Sequence, residues 1–430
     1  HGEASLNGAI VNMAQNFVGS NNINLLEPNG QFGTRLHGGD DSASERYIFT
    51  LLNPLTRYIF PDLDDAVLNY LNDDGTIVEP QYYVPIIPFA LMNGISGIGT
   101  GFSCNIASYN PETIIQYLKQ KLSKKTVEQT VFVPYYEGFN GSIVQLVDNK
   151  YLIKGVYEKI DTDKIRITEL PVGTWTMPYI SFLEGLMDGT VNAKTGKRSS
   201  PSIRDFTSTS TEVIVDIVVV FPRGKLVELE SQIDPNNGCN GVEKLLKLST
   251  SVSTTNMHMF NHECKLHKYE SVVEIIDEFY DVRLKLYGKR KAYLVDNMEK
   301  KLIKLSNRAK YIQNVLSGTV DLRKKNSHQV TEMLTSKGFV MIDGDFKYLI
   351  KMPMDSVTEE NVESIMKEKE NTETELDKLK STTLEKMWSN ELDKLLKEYS
   401  SYKQKREKIQ NTKTSSAKKN VKKMKIIRKK

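Results

Sequence analysis

Residues 270–316 contain no proline, and Tyr293 or Leu294, Met298, Leu302, Leu305, Ala309, Ile312 and Leu316 step along them by threes and fours. That spacing is a heptad-like seam. At 1.5 Å per residue it predicts one helix of roughly 70 Å. No other feature of the chain restricts its fold as much. A second run begins near 358: Val362, Ile365, Lys369, Thr372, Leu376 and Leu379 open a weak seam, and Trp388, Leu392, Leu395, Tyr399 and Tyr402 continue it. An insert at 318–357 separates the two runs. The simplest arrangement over 266–412 is an antiparallel hairpin of long helices with a small globular tip; an ordinary helical bundle is the alternative.

The rest of the chain has other textures. Over 5–17, Leu6, Ile10, Met13, Ala14 and Phe17 share one helical face and Gly19 is a stop signal. Asn12 and Gln15, three apart, fall on a different, polar face. Short apolar runs broken by Gly, Asp and Asn then predict a compact α+β unit ending near residue 87. From 88 to 265 the β-branched runs "GSIVQLV", "YLIKGVY", "KIRITEL" and "EVIVDIVVVF" read as strands, with "RGKLVELESQ" and "GVEKLLKL" as helices. This is a mixed α/β domain, with a polar, basic loop at 192–204. The fold class is therefore multidomain α/β.

Charge is distributed unevenly. The formal net charge is +4, but residues 413–430 carry nine Lys or Arg and no acid; without them the balance falls to −5. The first 110 residues have no lysine, and only Arg35, Arg46 and Arg57 stand against eleven acids. A DNA-binding role for this part needs a few placed arginines rather than a basic footprint. Cys104, Cys239 and Cys264 are few and scattered, which fits reduced thiols inside a cell. No apolar run approaches the roughly 20 residues of a membrane-spanning helix, and no signal peptide is expected. The chain begins at His1 rather than methionine, which fits a piece of a longer chain.

In "GGDDSASERYIFTLL", residues 38–52, Arg46 stands directly before Tyr47. A surface turn feeding a buried segment would look like this. So would a nucleophilic tyrosine. A neutral phenol, with a pKa near 10, is a poor nucleophile; an adjacent guanidinium lowers the cost of the phenolate and steadies charge on a phosphoryl transition state. Attack on a DNA phosphodiester would conserve the bond as a phosphotyrosyl link, so resealing needs no cofactor.

The surrounding "NGQFGTRLHGGDDSASERYIF" (29–49) resembles the active-site segment of type IIA DNA topoisomerases, specifically the topoisomerase II branch of eukaryotes and large DNA viruses. "HGEASLNGAIVNMAQNFVGSNNINLL", "VPIIPFALMNGISGIGTGFSCNI" (84–106), "ELPVGTWT" (169–176) and "YDVRLKLYGKRK" (280–291) resemble the same family. The resemblance covers most of 1–316 and thins after 320.

It implies a winged-helix catalytic region over 1–87, N-terminally incomplete, then a tower or shoulder domain over 88–265. A coiled coil over 266–412 would carry an exit gate near 318–357; the Lys-rich composition of 413–430 reads separately as a basic, disordered tail. Tyr47 matches the tyrosine that attacks the scissile phosphate and keeps a 5′ end, and Arg46 the arginine supporting that phosphate. His1 matches the second histidine of "HHGEAS", which contacts the cleavage-site backbone. Asn12 and Gln15 match DNA-lining positions. Arg35 and His37 lie in the matching "GTRLHGG" loop as phosphate or support residues. Ile98 matches an isoleucine that inserts between bases. The family commonly has Lys where this chain has Asp40, which removes a phosphate contact.

The implied activity is ATP-dependent double-strand cleavage and passage of a second duplex by a homodimer, with double-stranded DNA as partner and no membrane. Mg²⁺ and ATP would both be bound by upstream domains. The implied location is the nucleus, or the host cytoplasm or nucleus for a viral protein. A non-enzymatic DNA-binding scaffold of the same fold is the alternative.

Three local patterns invite other readings. "GISGIGTGF" (94–102) fits neither phosphate-loop spacing, whereas an apolar wedge flanked by Gly97 and Gly99 suits kinked DNA. His258, His262, Cys264 and His267 have conceivable zinc spacing but no second ligand pair nearby. "DGD" at 343–345 reads as a turn in the distal tip or, less simply, as a Mg²⁺ site.

Overall fold

The computed structural model describes residues 2–124, 130–189 and 200–427, with side chains as far as 410 except that of Met354. His1 and most of the basic loop 192–204 lie outside the described residues. The chain divides into two compact units: residues 1–62, 84–282 and 389–430 form one, and 63–83 with 283–388 the other. The boundary expected near residue 87 is therefore not a boundary between compact units. Hydrogen bonds cross it: the Asn22 amide donates to the carbonyls of Met92 and Tyr135, and Asn93 bonds both backbone groups of Ile23.

In the first unit, a helix Glu3–Ala14 precedes a two-stranded ribbon, Leu26–Asn29 with Phe49–Leu52. The α/β part holds an antiparallel four-stranded sheet in the order Asp205–Ser208, Ile217–Val220, Lys164–Glu169, Val156–Asp161. Lys164–Glu169 alternates in burial, with Ile165, Ile167 and Glu169 inward, as a sheet with one covered face requires. The inward residues pack with Tyr179 and Leu183 of the helix Thr176–Asp188 and with Leu226 and Val242 of two shorter helices. A three-stranded sheet, Ser249–Ser253, Lys150–Lys154 and Ser142–Val147, and two further hairpins complete this part.

The C-terminal stretch of the same unit closes onto the first residues. In the helix Leu384–Ile427, the buried Arg406 guanidinium donates to the carbonyls of Asn16, Asn21 and Asn22, which belong to the turn after the first helix. Tyr402 donates to Asn24 at 2.6 Å, and Tyr399 to the buried Glu137 at 2.8 Å. Burial and the neighbouring Glu137 carboxylate push the Tyr399 phenol far up. This helix also runs through the basic segment expected to be a disordered tail, as far as Ile427.

The second unit contains the expected helix as Val272–Leu316 from residue 283 onward. Helix Glu359–Ser381 runs antiparallel to it: Lys301 pairs with Glu368 at 2.8 Å and Lys380 with Glu299 at 2.6 Å. Leu305, Ala309 and Ile312 interlock with Val362 and Ile365, so the middle of the seam read from the sequence is the contact, while Tyr293 and Leu316 near its ends stand exposed. The second seam is broken at Thr382 and Thr383. There the Lys291 ammonium donates to the carbonyls of Lys380 and Thr382, which lack helical partners. Trp388 stacks on Tyr287 at 5.6 Å, and Arg283 and Arg290 sit over the Tyr287 ring and bind the buried Asp64. Positions 283, 287 and 290 share a helical face, which gives part of "YDVRLKLYGKRK" a structural role and fixes 63–83 in this unit. The insert has its own small core of Tyr311, Val320, Val330, Leu334, Phe339, Phe346 and Leu349. "DGD" is a turn: Ile342 pairs with Asp345, and Asp343 and Gly344 both have positive φ.

Candidate DNA-cleavage site

Tyr47 closes a single 3₁₀ turn, Glu45–Tyr47, in which its N–H donates to Ser44. A side chain on so short a turn is aimed by the chain entering it. Here that is the polar loop, and Tyr47 stands 70% exposed. The Arg46 guanidinium lies 5.8 Å from the Tyr47 ring centroid, within cation–π range. Cation and phenol therefore share one patch of surface.

The loop is held from below. Asp41 accepts from the Thr34 hydroxyl at 2.6 Å and the Thr34 N–H at 2.8 Å. Burial of the Asp41 carboxyl opposes its ionisation, but these two bonds outweigh it and hold its pKa below the usual range. Gly39 has φ +97°, and a Cβ there would lie 2.5 Å from the Gln15 amide nitrogen, so only glycine fits. The N–H groups of Thr176 and Met177 donate to Arg35 and Leu36, which docks the loop on the first turn of the helix Thr176–Asp188.

Several expected DNA contacts are placed elsewhere. Arg35 is 6% exposed and its guanidinium binds Glu169 at 2.5 Å, so it supports the loop and does not reach for a phosphate. Glu169 also accepts from the N–H groups of Asn140 and Leu170. Gln15 is buried, with its amide donating to the Phe32 carbonyl at 3.0 Å. The cause is local. The helix ends at Ala14 and Gln15 has an extended backbone, so the three-residue spacing no longer sets its direction. Asn12, still helical, remains exposed, as does His37. His1 lies outside the described residues.

Asn12 lines a polar groove of about 540 Å³ between the first helix and the loop. Glu3, Asn7, Gln15, Asp40, Ser42 and Glu45 also line it, and among the described residues no lysine or arginine does. Asp40 thus adds negative charge to a groove that already holds Glu3 and Glu45. Ile98 lies on the hairpin Ile95–Gly99 with Phe102–Ile106 and is 93% exposed. "GISGIGTGF" is therefore a hairpin and not a loop opening a helix. Gly97 faces open space, whereas Gly99 lies under the Phe102 ring.

The histidines of "HMFNHECKLH" find organic partners: His258 meets Asn256, His262 meets Glu278 at 2.8 Å and His267 meets Glu274 at 3.0 Å. Among the described residues no three His, Cys, Asp or Glu side chains stand close enough to hold a metal ion. The roles of Glu169 and Asp64 went unread in the sequence. A buried arginine demands a carboxylate, but nothing local says which acid answers it.

The family model for the A subunit of DNA gyrase/topoisomerase IV matches residues 1–393. The chain belongs to this family. Among relatives in this topoisomerase family, DNA topoisomerase 2-alpha of Gallus gallus is 38% identical over 426 residues, covering 93% of this chain and 26% of its own length. DNA topoisomerase 2 of Arabidopsis thaliana is 37% identical, covering 93% of this chain and 29% of its own. The Plasmodium falciparum topoisomerase II DNA-binding, cleavage and re-ligation domain superposes with a TM-score of 0.84 at 37% identity, covering 95% of this chain and 56% of that one. The chain thus spans about a quarter of the length of the curated relatives it matches. Among the described residues no helix is long and apolar enough to cross a membrane.

Proposed function

We propose that this chain is the DNA breakage–reunion part of a type II DNA topoisomerase. The observation that carries the reading is an exposed tyrosine with a guanidinium over its ring, on a loop fixed from below by buried hydrogen bonds. The Tyr47 phenolic oxygen attacks a DNA phosphorus. An O–P bond forms to the 5′ side, the bond to the 3′ oxygen breaks, and that oxygen leaves as a hydroxyl after taking up the proton the phenol gives up. Arg46 stabilises the charge that gathers on the phosphoryl oxygens. Reversal restores the duplex. Ile98 enters the base stack and favours the bent duplex in which the phosphate reaches Tyr47.

In this reading the region before residue 88 acts as the winged-helix catalytic part, 88–265 as the tower, and the long helices carry an exit gate. Two copies cooperate, one per strand, and a second duplex passes between them. Mg²⁺ and ATP act through regions outside these 430 residues, and the eukaryotic relatives point to a nuclear setting. Asn12 and His37 are the remaining candidates for DNA contacts near the tyrosine. Tyr47→Phe, tested in the longest available form of the protein, is expected to abolish denaturant-resistant DNA adducts and to leave DNA affinity within about twofold, since only one oxygen is lost. Adducts that persist in the Phe variant would refute the assignment.

A further inference from the structure

A two-stranded hairpin is marginally stable by itself, yet a wedge must stay rigid while it parts stacked bases. The Ile98 hairpin is not by itself. Gly99, next to Ile98, pairs with Phe102, and the Phe102 ring occupies the space a Gly99 side chain would need: an added Cβ would lie 2.6 Å from Phe102 Cζ. On its other side Phe102 meets Phe260 edge-to-face, with ring centroids 5.7 Å apart at 85°. Phe260 belongs to a second hairpin, His258–Phe260 with Leu266–Lys268. Ser103, directly opposite Ile98, accepts from the Asn256 amide at 2.9 Å. The Asn256 carbonyl accepts from the Asn105 N–H at 2.8 Å, and its side-chain oxygen meets His258 Nδ1 at 2.8 Å. The second hairpin is in turn tied to the first turns of the long helix through His262–Glu278, His267–Glu274 and Tyr269–Glu278. Phe260 remains 61% exposed, which a core role does not explain.

We infer that Phe260 and Asn256 are positioning residues for the wedge: the second hairpin props the first and holds Ile98 upright against the base stack. The inference rests on the proposed insertion of Ile98 into DNA. Neither residue touches DNA in this scheme; each acts through Phe102 or Ser103. The prop therefore affects bending and leaves the initial encounter with phosphate unchanged.

The test measures duplex bending by the full chain, using energy transfer between end-labelled DNA arms, beside binding affinity and thermal melting. Ile98→Ala is the reference and is expected to lose most of the bent population. Phe260→Ala and Asn256→Ala are each expected to lower the ratio of bent to straight complexes by roughly three- to tenfold, on the scale of one aromatic or hydrogen-bonded contact. Their melting is expected to stay close to the parent and their overall affinity to fall by no more than that ratio does, and Phe260→Tyr, which keeps the ring edge, to restore bending. Parent-like bending by both alanine variants while Ile98→Ala fails overturns the prop alone. Parent-like bending by Ile98→Ala overturns the wedge, and the prop with it. If Phe260→Ala melts early, Asn256→Ala, whose bond to Ser103 is at the surface, decides by the same readout.

Discussion

Replacing Arg35 by Ala leaves the Glu169 carboxylate buried without its cation. We expect a stability loss of about 3–5 kcal/mol in urea unfolding, the cost of orphaning one member of a buried pair. The salt dependence of DNA binding should not change, because Arg35 meets no phosphate. A shallower salt slope with unchanged stability would restore Arg35 as a DNA contact. Asp41 gives a pH signature. Its pKa in the folded protein lies below its ordinary value of 3.8, so the clip to Thr34 is stabilising above that pH and is lost as pH falls through the lower folded value. Hydrogen exchange at the Thr34 amide, compared at pH 5 and under more acid conditions, should show protection only at the higher pH; equal protection at both would argue against the clip. At this scale the sequence was legible where the backbone is simple. Tyr47 and Ile98 stand on the surface, as their motifs implied. Gln15 was misplaced because one residue of helix end decides its direction, and of the two roles read for Arg35 the support role was fixed by a distant carboxylate; neither is written locally.

The long helices were the most readable elements, since a seam of that length has few alternatives. What the seam does not encode is its interruption. The break after Ser381 is stabilised by a lysine on the facing helix, 89 residues away from the carbonyl of Lys380. Nor does periodicity show that Arg283, Tyr287 and Arg290 would enclose a carboxylate from residue 64. Trp388→Ala removes the fully buried ring that stacks on Tyr287 and should cost roughly 3–5 kcal/mol. Denaturant unfolding monitored by far-ultraviolet circular dichroism would reveal it; a loss under about 1 kcal/mol would mean the site collapses around the gap.

At the scale of the molecule, the insert bears on the proposed dimer. Val330, Leu334 and Phe339 turn inward to its small core, and Met333 packs against it, so they offer little to a second copy. Val340 and Met341 remain exposed. If two copies join there, replacing 318–357 with a short turn should yield a monomer by sedimentation, while the α/β part keeps its thermal transition. A deletion variant still dimeric at low micromolar concentration would move the contact elsewhere on the chain. Truncation before 318 is not equivalent, because residues near 400 complete the first unit.

That clasp has a consequence for biosynthesis. The carbonyls of Asn16, Asn21 and Asn22 wait for a guanidinium that follows them by nearly the whole chain. At the usual elongation rate of about 5–20 residues per second, the ribosome needs roughly 20–80 s to deliver it. Throughout that interval these three carbonyls lack the donor that the folded chain gives them, and a chain cut short before Arg406 never supplies it. The turn after the first helix is thus translated long before the helix that completes it.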